Sequence, residues 1–317
     1  MQKLGDSNNK IPLVSISCIT FNHENYIRDC IEGFLIQETT FPFEVLIHDD
    51  ASTDKTPEII TEYSAKHPNI IKPIFQTENQ FSQGVRGIAI KFNFSRAKGK
   101  YIAMCEGDDY WTDPHKLQKQ VDFLETNPDY VICYHDASVI DENGNLLEKS
   151  KLTLEYKRDF SSEELMNAAW ILTLTMCFRN LPILKNYPPE ASNVINSDTF
   201  LTVILGQYGK GKYLGKEIQS AVYRKHLKSI WSSLEKEEQD FQNFMSLLYM
   251  FQYKLRITSR ENAVSFLFKT VYLSYSRIYP KKNPIIKLKR SFSCRLGLLL
   301  TWVPRKLLDV TNYRKKL

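Results

Sequence analysis

Three acidic side chains lie within four positions of the stretch MCEGDDYWTDP: Glu106, Asp108 and Asp109. They follow an apolar run that predicts a buried strand, and carboxylates this close repel one another unless a cation lies between them. Oxygen ligands of this kind suit a hard divalent ion that keeps open positions for phosphate oxygens, such as Mg²⁺ or Mn²⁺. The loop is therefore predicted to bind such an ion. The alternative is that Asp113 caps the next helix and the other acids are solvated.

Polar clusters also end two earlier predicted strands. Residues 13–20 are rich in β-branched side chains and finish at Thr20, and residues 43–48 are followed by Asp49 and Asp50. In sheets of parallel strands, ligands bind beyond the carboxyl ends of the strands, which lie at one edge. We therefore expect these two clusters and the acidic loop to converge on one crevice.

Apolar runs alternate with helical patterns through the first half of the chain. Residues 27–35 have apolar side chains at helical spacing, and DDASTDKTPEII contains helix-start residues. This alternation requires right-handed crossovers, which predicts an α/β fold with a mostly parallel central sheet flanked by helices. The predicted strands of this region are 13–20, 43–48, 70–75, 101–105 and 130–134.

The pattern changes after about residue 137. DENGN predicts a turn between two extended segments, residues 170–178 a longer apolar strand, and residues 211–226 a hairpin. The end of the chain has helical spacing throughout. We predict an α/β domain over residues 11–232 and a helical, basic region over residues 233–317.

Several common signatures are missing from the sequence. No G-x-G-x-x-G or P-loop motif follows a strand, and Gly209-x-Gly211-x-x-x-Gly215 precedes a strand, so it is predicted to form a turn. The six histidines are dispersed without zinc-site spacing. The six cysteines include no C-x-x-C pair and mostly lie in apolar runs, which favours a reduced, cytoplasmic setting.

Positive charge is concentrated at one end of the chain. Residues 281–317 contain eleven Lys or Arg and one acid, Asp309, whereas the whole 317-residue chain carries +6. Apolar clusters interrupt these cations, which predicts peripheral attachment to the inner face of the plasma membrane. A packed helical pair or a partner-binding surface is the alternative, and no nucleic-acid motif accompanies the charge. The polar start and the short apolar runs predict neither a signal peptide nor a spanning segment.

Two long stretches resemble family-2 glycosyltransferases of the GT-A fold. The first is VSISCITFNHENYIRDCIEGFLIQETTFPFEVLIHDDASTDKT and the second is NFSRAKGKYIAMCEGDDYWTDPHKLQKQVDFLE. They occur in the family's order, and the resemblance covers about residues 11–226. It implies that residues 11–232 are a GT-A domain with a nucleotide-diphosphate sugar donor, a Mn²⁺ or Mg²⁺ cofactor, and inversion at the anomeric carbon.

The resemblance assigns roles to residues after the first two strands. Thr20 and Asn22 match the family's T-Y-N, with Phe in place of the usual Tyr, and Asp50 matches the acid that usually contacts the donor base. The residues of these two loops that are expected to bind the nucleotide sugar are Thr20, Phe21, Asn22, Glu24, Asp49 and Asp50.

The acidic loop matches the family's D-x-D as Glu106-Gly107-Asp108. The resemblance implies that Asp108 holds the metal on the diphosphate and that Glu106, longer than the commoner Asp, faces the ribose or a metal-bound water. In VYRKHLKS, Arg224 and His226 resemble a late family element near the diphosphate, with His226 as a second metal ligand. A partly buried strand histidine is the alternative for His226.

Other side chains near the predicted crevice have two interpretations each. Arg86 and Arg96 are candidates for neutralising the diphosphate, and the alternative for each is a solvated face. Trp111 is either a platform for the acceptor or an aromatic that packs the loop.

Inversion by single displacement needs a carboxylate that takes the proton of the acceptor hydroxyl. In the resembling family this acid lies well after the metal motif at the start of a helix, and NSDTFLTVIL places Asp198 there. Glu190 is the second candidate. N-capping of the helix is the alternative role for Asp198.

The sequence thus predicts a metal-dependent, inverting glycosyltransferase of the bacterial surface-polysaccharide type with a glycan or lipid-linked acceptor. Two alternatives are a sugar nucleotidyltransferase and a non-catalytic sugar-nucleotide-binding or scaffold protein. CITFNHENY lacks the Gly-rich, basic loop usual in nucleotidyltransferases. The donor sugar, the linkage and the oligomeric state do not follow from the sequence.

Overall fold

A computed structural model describes residues 11–226 and 234–272 of the chain. The strands are β1 (Val14–Thr20), β2 (Phe43–Asp49), β3 (Ile71–Phe75), β4 (Tyr101–Met104), β5 (Tyr130–Tyr134), β6 (Ala137–Ile140), β7 (Leu146–Glu148), β8 (Cys177–Arg179), β9 (Lys210–Tyr213) and β10 (Ala221–Arg224). The α-helices are α1 (Ile27–Leu35), α2 (Thr56–Lys66), α3 (Lys116–Thr126), α4 (Ser162–Met166), α5 (Ser197–Leu205), α6 (Lys236–Ile257) and α7 (Arg260–Phe266).

The main sheet has seven strands in the order β3-β2-β1-β4-β8-β5-β9. Its strands are parallel apart from β8, which runs antiparallel to both β4 and β5. The chain leaves β1 toward β2 and β3 on one side and returns to β4 on the other side. Such a change of direction opens a crevice beyond the carboxyl ends of the strands, here between β1 and β4.

Apolar side chains explain why β1 lies in the interior of the sheet and why α1 packs on it. Val14 and Ile16 are fully buried in β1, and the helical face of Ile27, Ile31 and Phe34 is fully buried against the sheet. Burying side chains of this size contributes about 1.5–3 kcal/mol each. The rigid strand ends that result fix the positions of the loops that follow them.

A second sheet of three strands, in the order β10-β6-β7, adjoins the main one. β9 pairs in parallel with β5 in the main sheet, and β10 pairs in parallel with β6 in the second sheet. The chain therefore passes from the main sheet to the second sheet twice, once between β5 and β6 and once between β9 and β10. β6 and β7 are antiparallel around the turn that DENGN predicts. The end of β10 is thereby brought to the acidic loop after β4.

The five strands predicted in the first half of the chain are confirmed, with bounds that differ by at most one residue. The predicted hairpin over 211–226 is wrong, because β9 and β10 belong to different sheets. The predicted strand over 170–178 is also wrong in length. Residues Thr173–Thr175 form a helical turn instead, and Trp111 Nε1 donates to the Leu174 carbonyl at 2.7 Å, which takes this segment out of the sheet.

Helices follow residue 233, as predicted, over the part that the structure describes. α6 packs on the α/β unit, where Lys254 Nζ donates to the Met166 carbonyl at 2.9 Å and Gln207 Nε2 donates to the Tyr253 hydroxyl at 2.8 Å. A domain boundary at residue 232 stays a prediction. Residues 281–317, to which the membrane prediction refers, lie outside the described residues. Among the helices of the described residues, none has the length and apolarity needed to span a bilayer.

Candidate active site

The crevice floor is formed where the acidic loop lies on the end of β1. The Gly107 N–H donates to the Ile19 carbonyl at 2.9 Å, which continues the pairing of β4 with β1 into the loop. A Cβ on Gly107 would lie 2.7 Å from Thr20 Oγ1 and 3.0 Å from His23 Nδ1. Only glycine allows this close approach, so the loop sequence Glu-Gly-Asp positions the two flanking acids at the strand end.

Asp108 lies between two histidines that are far apart in the chain. Its Oδ2 is 2.9 Å from His226 Nε2 and 3.8 Å from His23 Nε2. One ligand atom from each of the three side chains lies within 4.8 Å of the other two. The side chain of His226 is 1% exposed, that of His23 14% and that of Asp108 16%, so the cluster is sheltered but reachable from solvent.

β10 is attached to the acidic loop by backbone and side-chain hydrogen bonds. The Arg224 N–H donates to Asp109 Oδ1 at 2.8 Å, and Arg224 Nε donates to the Asp108 carbonyl at 3.1 Å. The Arg224 guanidinium also pairs with Asp29 at 2.8 Å and lies 4.7 Å from the ring centre of Tyr26. The predicted late element is therefore part of the crevice.

The carboxylates of the loop differ in their electrostatics. Burial, with the charges of Asp108 and Asp198, raises the pKa of Glu106 to about 8. Burial also raises the pKa of Asp109 well above its usual range, with the charge of Asp108 next in importance. For Asp108 itself burial acts in the same direction, but the imidazoles of His23 and His226 outweigh it and lower the pKa. Of Glu106, Asp108 and Asp109, Asp108 is thus the carboxylate that stays ionised most readily.

Unused hydrogen-bonding capacity surrounds this cluster. Thr20 Oγ1, His23 Nδ1, His226 Nδ1 and Asp109 Oδ2 are buried and have no hydrogen-bond partner within the described residues. Buried polar atoms normally have a partner. Four such atoms around one loop are what a binding site for a polar ligand would present.

The acids predicted to contact the nucleotide shape the loops on the β2 side of the crevice. Asp50 is 6% exposed and its carboxylate accepts from the Gln80 and Phe81 N–H groups at 2.8 and 3.0 Å, while Phe21 is 39% exposed. Three further side chains of these loops each accept a hydrogen bond from a backbone N–H of the loop before α2: Asn22 from Thr53 at 2.8 Å, Glu24 from Lys55 at 3.1 Å and Asp49 from Ser52 at 3.0 Å. Their contact with a donor stays a prediction.

The two arginines after β3 have protein partners. Arg96 donates to the carbonyls of Phe92, Lys72 and Ile47 and to Asn93, so its guanidinium binds the face of the sheet and is not a solvated surface group. Its contact with the diphosphate stays a prediction. Arg86 donates to the carbonyls of Phe81 and Val85 within its own loop.

Trp111 is 1% exposed and packs against Phe34 with ring centres 4.9 Å apart. A side chain so buried cannot serve as a platform for an acceptor. The interpretation that it packs the loop is confirmed.

Asp198 lies in the first turn of α5, and its charge is close enough to raise the pKa of Glu106. Burial raises its own pKa, and hydrogen bonds from Thr199 and Thr173 offset part of that rise. The capping role considered for Asp198 is wrong, because the helix begins after Asn196 and Asp198 is its second residue. Glu190, the second candidate base, is held by Arg256 through two hydrogen bonds of 2.8 and 2.6 Å.

His23 was not singled out from the sequence. The signal was its position in FNHENY, three residues beyond Thr20 in a strand-end loop. His23 and His226 are far apart in the sequence, but the fold places their ring centres 5.9 Å apart, which the spacing of the histidines does not indicate.

Comparisons with known proteins agree on one family. Residues 15–182 match the model of Glycosyl transferase family 2. An uncharacterized protein of Mycobacterium tuberculosis (strain ATCC 25618 / H37Rv) is 39% identical over 232 residues, which are 72% of this chain and 63% of that protein. The chain therefore spans less than two thirds of the length of this relative.

Solved structures share the fold at low sequence identity. S. aureus TarS 1-349 in complex with UDP-GlcNAc superposes with a TM-score of 0.60 at 17% identity, over 88% of this chain and 76% of that one. The mannosyltransferase PcManGT from Pyrobaculum calidifontis, in complex with GDP-Man and Mn²⁺, gives a TM-score of 0.53 at 15% identity, over 94% and 81%. The α/β, GT-A-like architecture predicted from the sequence is confirmed.

Proposed function

The chain belongs to glycosyl transferase family 2, and on this premise we propose that it is a metal-dependent, inverting glycosyltransferase. It would move a sugar from a nucleotide-diphosphate donor to a glycan or lipid-linked acceptor of a bacterial surface polysaccharide. The observation that carries the proposal is that His226 Nε2 lies 2.9 Å from Asp108 Oδ2 in the loop after β4, where the charge of Asp198 also contributes to the raised pKa of Glu106. The family assignment counts against the nucleotidyltransferase alternative.

The side chains around Asp108 fit a divalent cation. A carboxylate and an imidazole, here 2.9 Å apart, are both groups that bind metals, and the buried polar atoms around them have hydrogen-bonding capacity that the described residues do not use. We assign Asp108 and His226 as residues that hold the ion. When bound, it supplies positive charge that offsets the negative charge developing on the departing diphosphate. The mixed donor set favours Mn²⁺ over Mg²⁺, because Mg²⁺ is bound mainly through oxygen.

The residues of the chain have separate tasks in the proposed reaction. Arg224, 6% exposed and bonded to the acidic loop, holds that loop in place and adds positive charge beside it. Glu106, the first acid of the loop, would contact the donor through a side chain longer than that of the commoner Asp. Asp198 takes the proton of the acceptor hydroxyl as that oxygen attacks the anomeric carbon on the face opposite the diphosphate.

The two solved structures that share this fold are complexes with UDP-GlcNAc and GDP-Man. These ligands support a nucleotide-sugar donor for this chain as a class and leave the sugar open. A screen of UDP- and GDP-sugars by thermal shift would identify the donor, because a ligand at 100 times its Kd stabilises the folded state by about 2.7 kcal/mol.

The proposal is tested by incubating the full chain with the donor found in that screen and Mn²⁺. We expect release of the nucleoside diphosphate by slow hydrolysis without acceptor, and none once the metal is removed with a chelator. Binding without any release, with water or with an acceptor extract, would favour the non-catalytic alternative. Release of pyrophosphate from a sugar phosphate and a nucleoside triphosphate would favour the nucleotidyltransferase.

We also propose that residues 281–317 hold the enzyme at an anionic membrane surface. The support is composition alone, eleven cations interspersed with apolar clusters, each cation contributing on the order of 1 kcal/mol near anionic lipid. We expect salt-sensitive co-sedimentation with vesicles that contain anionic lipid. A chain truncated before residue 281 should lose it, and equal sedimentation of the two chains would contradict the proposal.

A further inference from the structure

His23 occupies a fixed position at the mouth of the crevice. Its backbone N–H donates to Thr56 Oγ1 at 2.8 Å, and its carbonyl accepts from the Tyr26 and Ile27 N–H groups at 2.9 and 2.8 Å. The residue is therefore tied to the starts of both α1 and α2. Such anchoring fixes the backbone from which the imidazole extends before any ligand arrives, which lowers the entropic cost of binding.

The side chain points at the same carboxylate that His226 contacts. His23 Nε2 is 3.8 Å from Asp108 Oδ2, a distance too long for a hydrogen bond in the absence of an ion. The ligand atoms of the three side chains nevertheless lie within 4.8 Å of one another. The ring of His226 is held against Tyr26, with ring centres 5.0 Å apart. Three potential ligand atoms thus lie close enough together to bind one ion, and the ring of His226 packs on Tyr26.

We propose that His23 is a third ligand of the divalent ion, so that the ion binds this chain without a nucleotide and imidazole-preferring metals are selected over Mg²⁺. The inference rests on the proposed function, which assigns only Asp108 and His226. Two ligands hold an ion weakly until the diphosphate supplies more donors, whereas three from the protein form a site of their own.

The chemistry of the donor set gives the direction of the selectivity. Imidazole nitrogen suits the later first-row metals, and carboxylate and phosphate oxygens suit Mg²⁺ and Mn²⁺. A site with two imidazoles should therefore bind Co²⁺ more tightly than Mn²⁺ and discriminate strongly against Mg²⁺. Removing one imidazole should reduce that discrimination.

The test uses the metal ion alone on the full chain after removal of metals with a chelator. Binding of Mn²⁺ is followed by loss of the free-ion paramagnetic resonance signal, and Co²⁺ and Mg²⁺ are measured by competition. The wild-type chain should bind one Mn²⁺ without nucleotide. His23→Ala should weaken Mn²⁺ binding at least about tenfold, since loss of even an outer partner of a ligand costs 10–100-fold. It should also lower the ratio of Co²⁺ to Mg²⁺ affinity.

His115→Ala is the matched control, because His115 directly precedes α3 and its side chain is 52% exposed beside Glu38. If His23→Ala does not fold, His23→Gln keeps the length and polarity and should lower the same ratio. An unchanged Mn²⁺ affinity in His23→Ala would overturn the inference. An equal loss of affinity for Mn²⁺, Co²⁺ and Mg²⁺ would also overturn it, because it would show that His23 only orients Asp108. If Asp108→Asn and His226→Ala also leave Mn²⁺ binding unchanged, the metal dependence of the proposed function fails with it.

Discussion

Asp108→Asn is expected to abolish metal-dependent binding of the nucleotide-sugar donor while the chain stays folded. The carboxylate of Asp108 is the charge that His23 and His226 flank, and the amide of Asn offers one neutral oxygen in its place. Loss of a direct ligand should cost more than the 10–100-fold typical for outer partners, so we expect at least about a 100-fold loss of Mn²⁺ affinity. Titration calorimetry with the donor, once in Mn²⁺ and once in chelator, measures the metal-dependent part of donor binding.

The fold should tolerate this change because the substitution removes one of several neighbouring negative charges. The charge of Asp108 contributes to the raised pKa of both Glu106 and Asp109, so its loss relieves repulsion that offsets the lost contact with His226. Asp122→Asn, on the exposed side of α3, is the control of equal chemistry. Mn²⁺-dependent donor affinity within twofold of the wild type in Asp108→Asn would remove this residue from the metal site.

Asp198→Asn is expected to lower turnover by at least about 100-fold, the usual contribution of a general base, with donor affinity retained. The Asn amide oxygen can still accept from the Thr199 N–H, which Asp198 Oδ1 accepts at 2.8 Å, so the start of α5 is preserved. Only the capacity to take a proton is removed. Turnover with a saturating donor and acceptor, together with donor affinity by calorimetry, separates the two effects.

The pH profile supplies an independent readout for Asp198. Burial raises its pKa above the usual value near 3.9 for Asp, and a base is active only when deprotonated. Activity of the wild type should therefore fall as the pH is lowered through that raised pKa, and the residual activity of Asp198→Asn should lack this limb. Glu190→Gln is the matched comparison, since Glu190 already pairs with Arg256. A larger loss in Glu190→Gln than in Asp198→Asn would transfer the role to Glu190.

Local patterns were enough to predict the first half of the fold. β1, β2 and β4 are continuous apolar runs, and each ends in polar residues, so both the strands and the edge at which their ends meet follow from the sequence. The acidic loop was found for the same reason. Its residue types, spacing and position at a strand end are all local properties.

The wrong predictions concern partners that are distant in the chain. Residues 211–226 look like a hairpin because two short strands flank a turn, but β9 and β10 each pair with a strand that precedes them by about 80 residues. Local spacing carries no information about such pairing. The same holds for His23, whose relation to Asp108 and His226 depends on the strand order, and for Arg96, two of whose carbonyl partners lie on β2 and β3.

The hydrogen bonds between β10 and the acidic loop have a consequence for synthesis of the chain. Arg224 lies 115 positions after Asp109, and His226 lies 118 positions after Asp108. During translation, β1, β4 and His23 emerge well before Arg224 and His226 are made. In that interval Asp108 has His23 as a neighbour but lacks His226, and Asp109 lacks the hydrogen bond from the Arg224 N–H. The acidic loop therefore stays incompletely bonded until β10 is made, and a chain that stops before β10 has a sheet without a completed site.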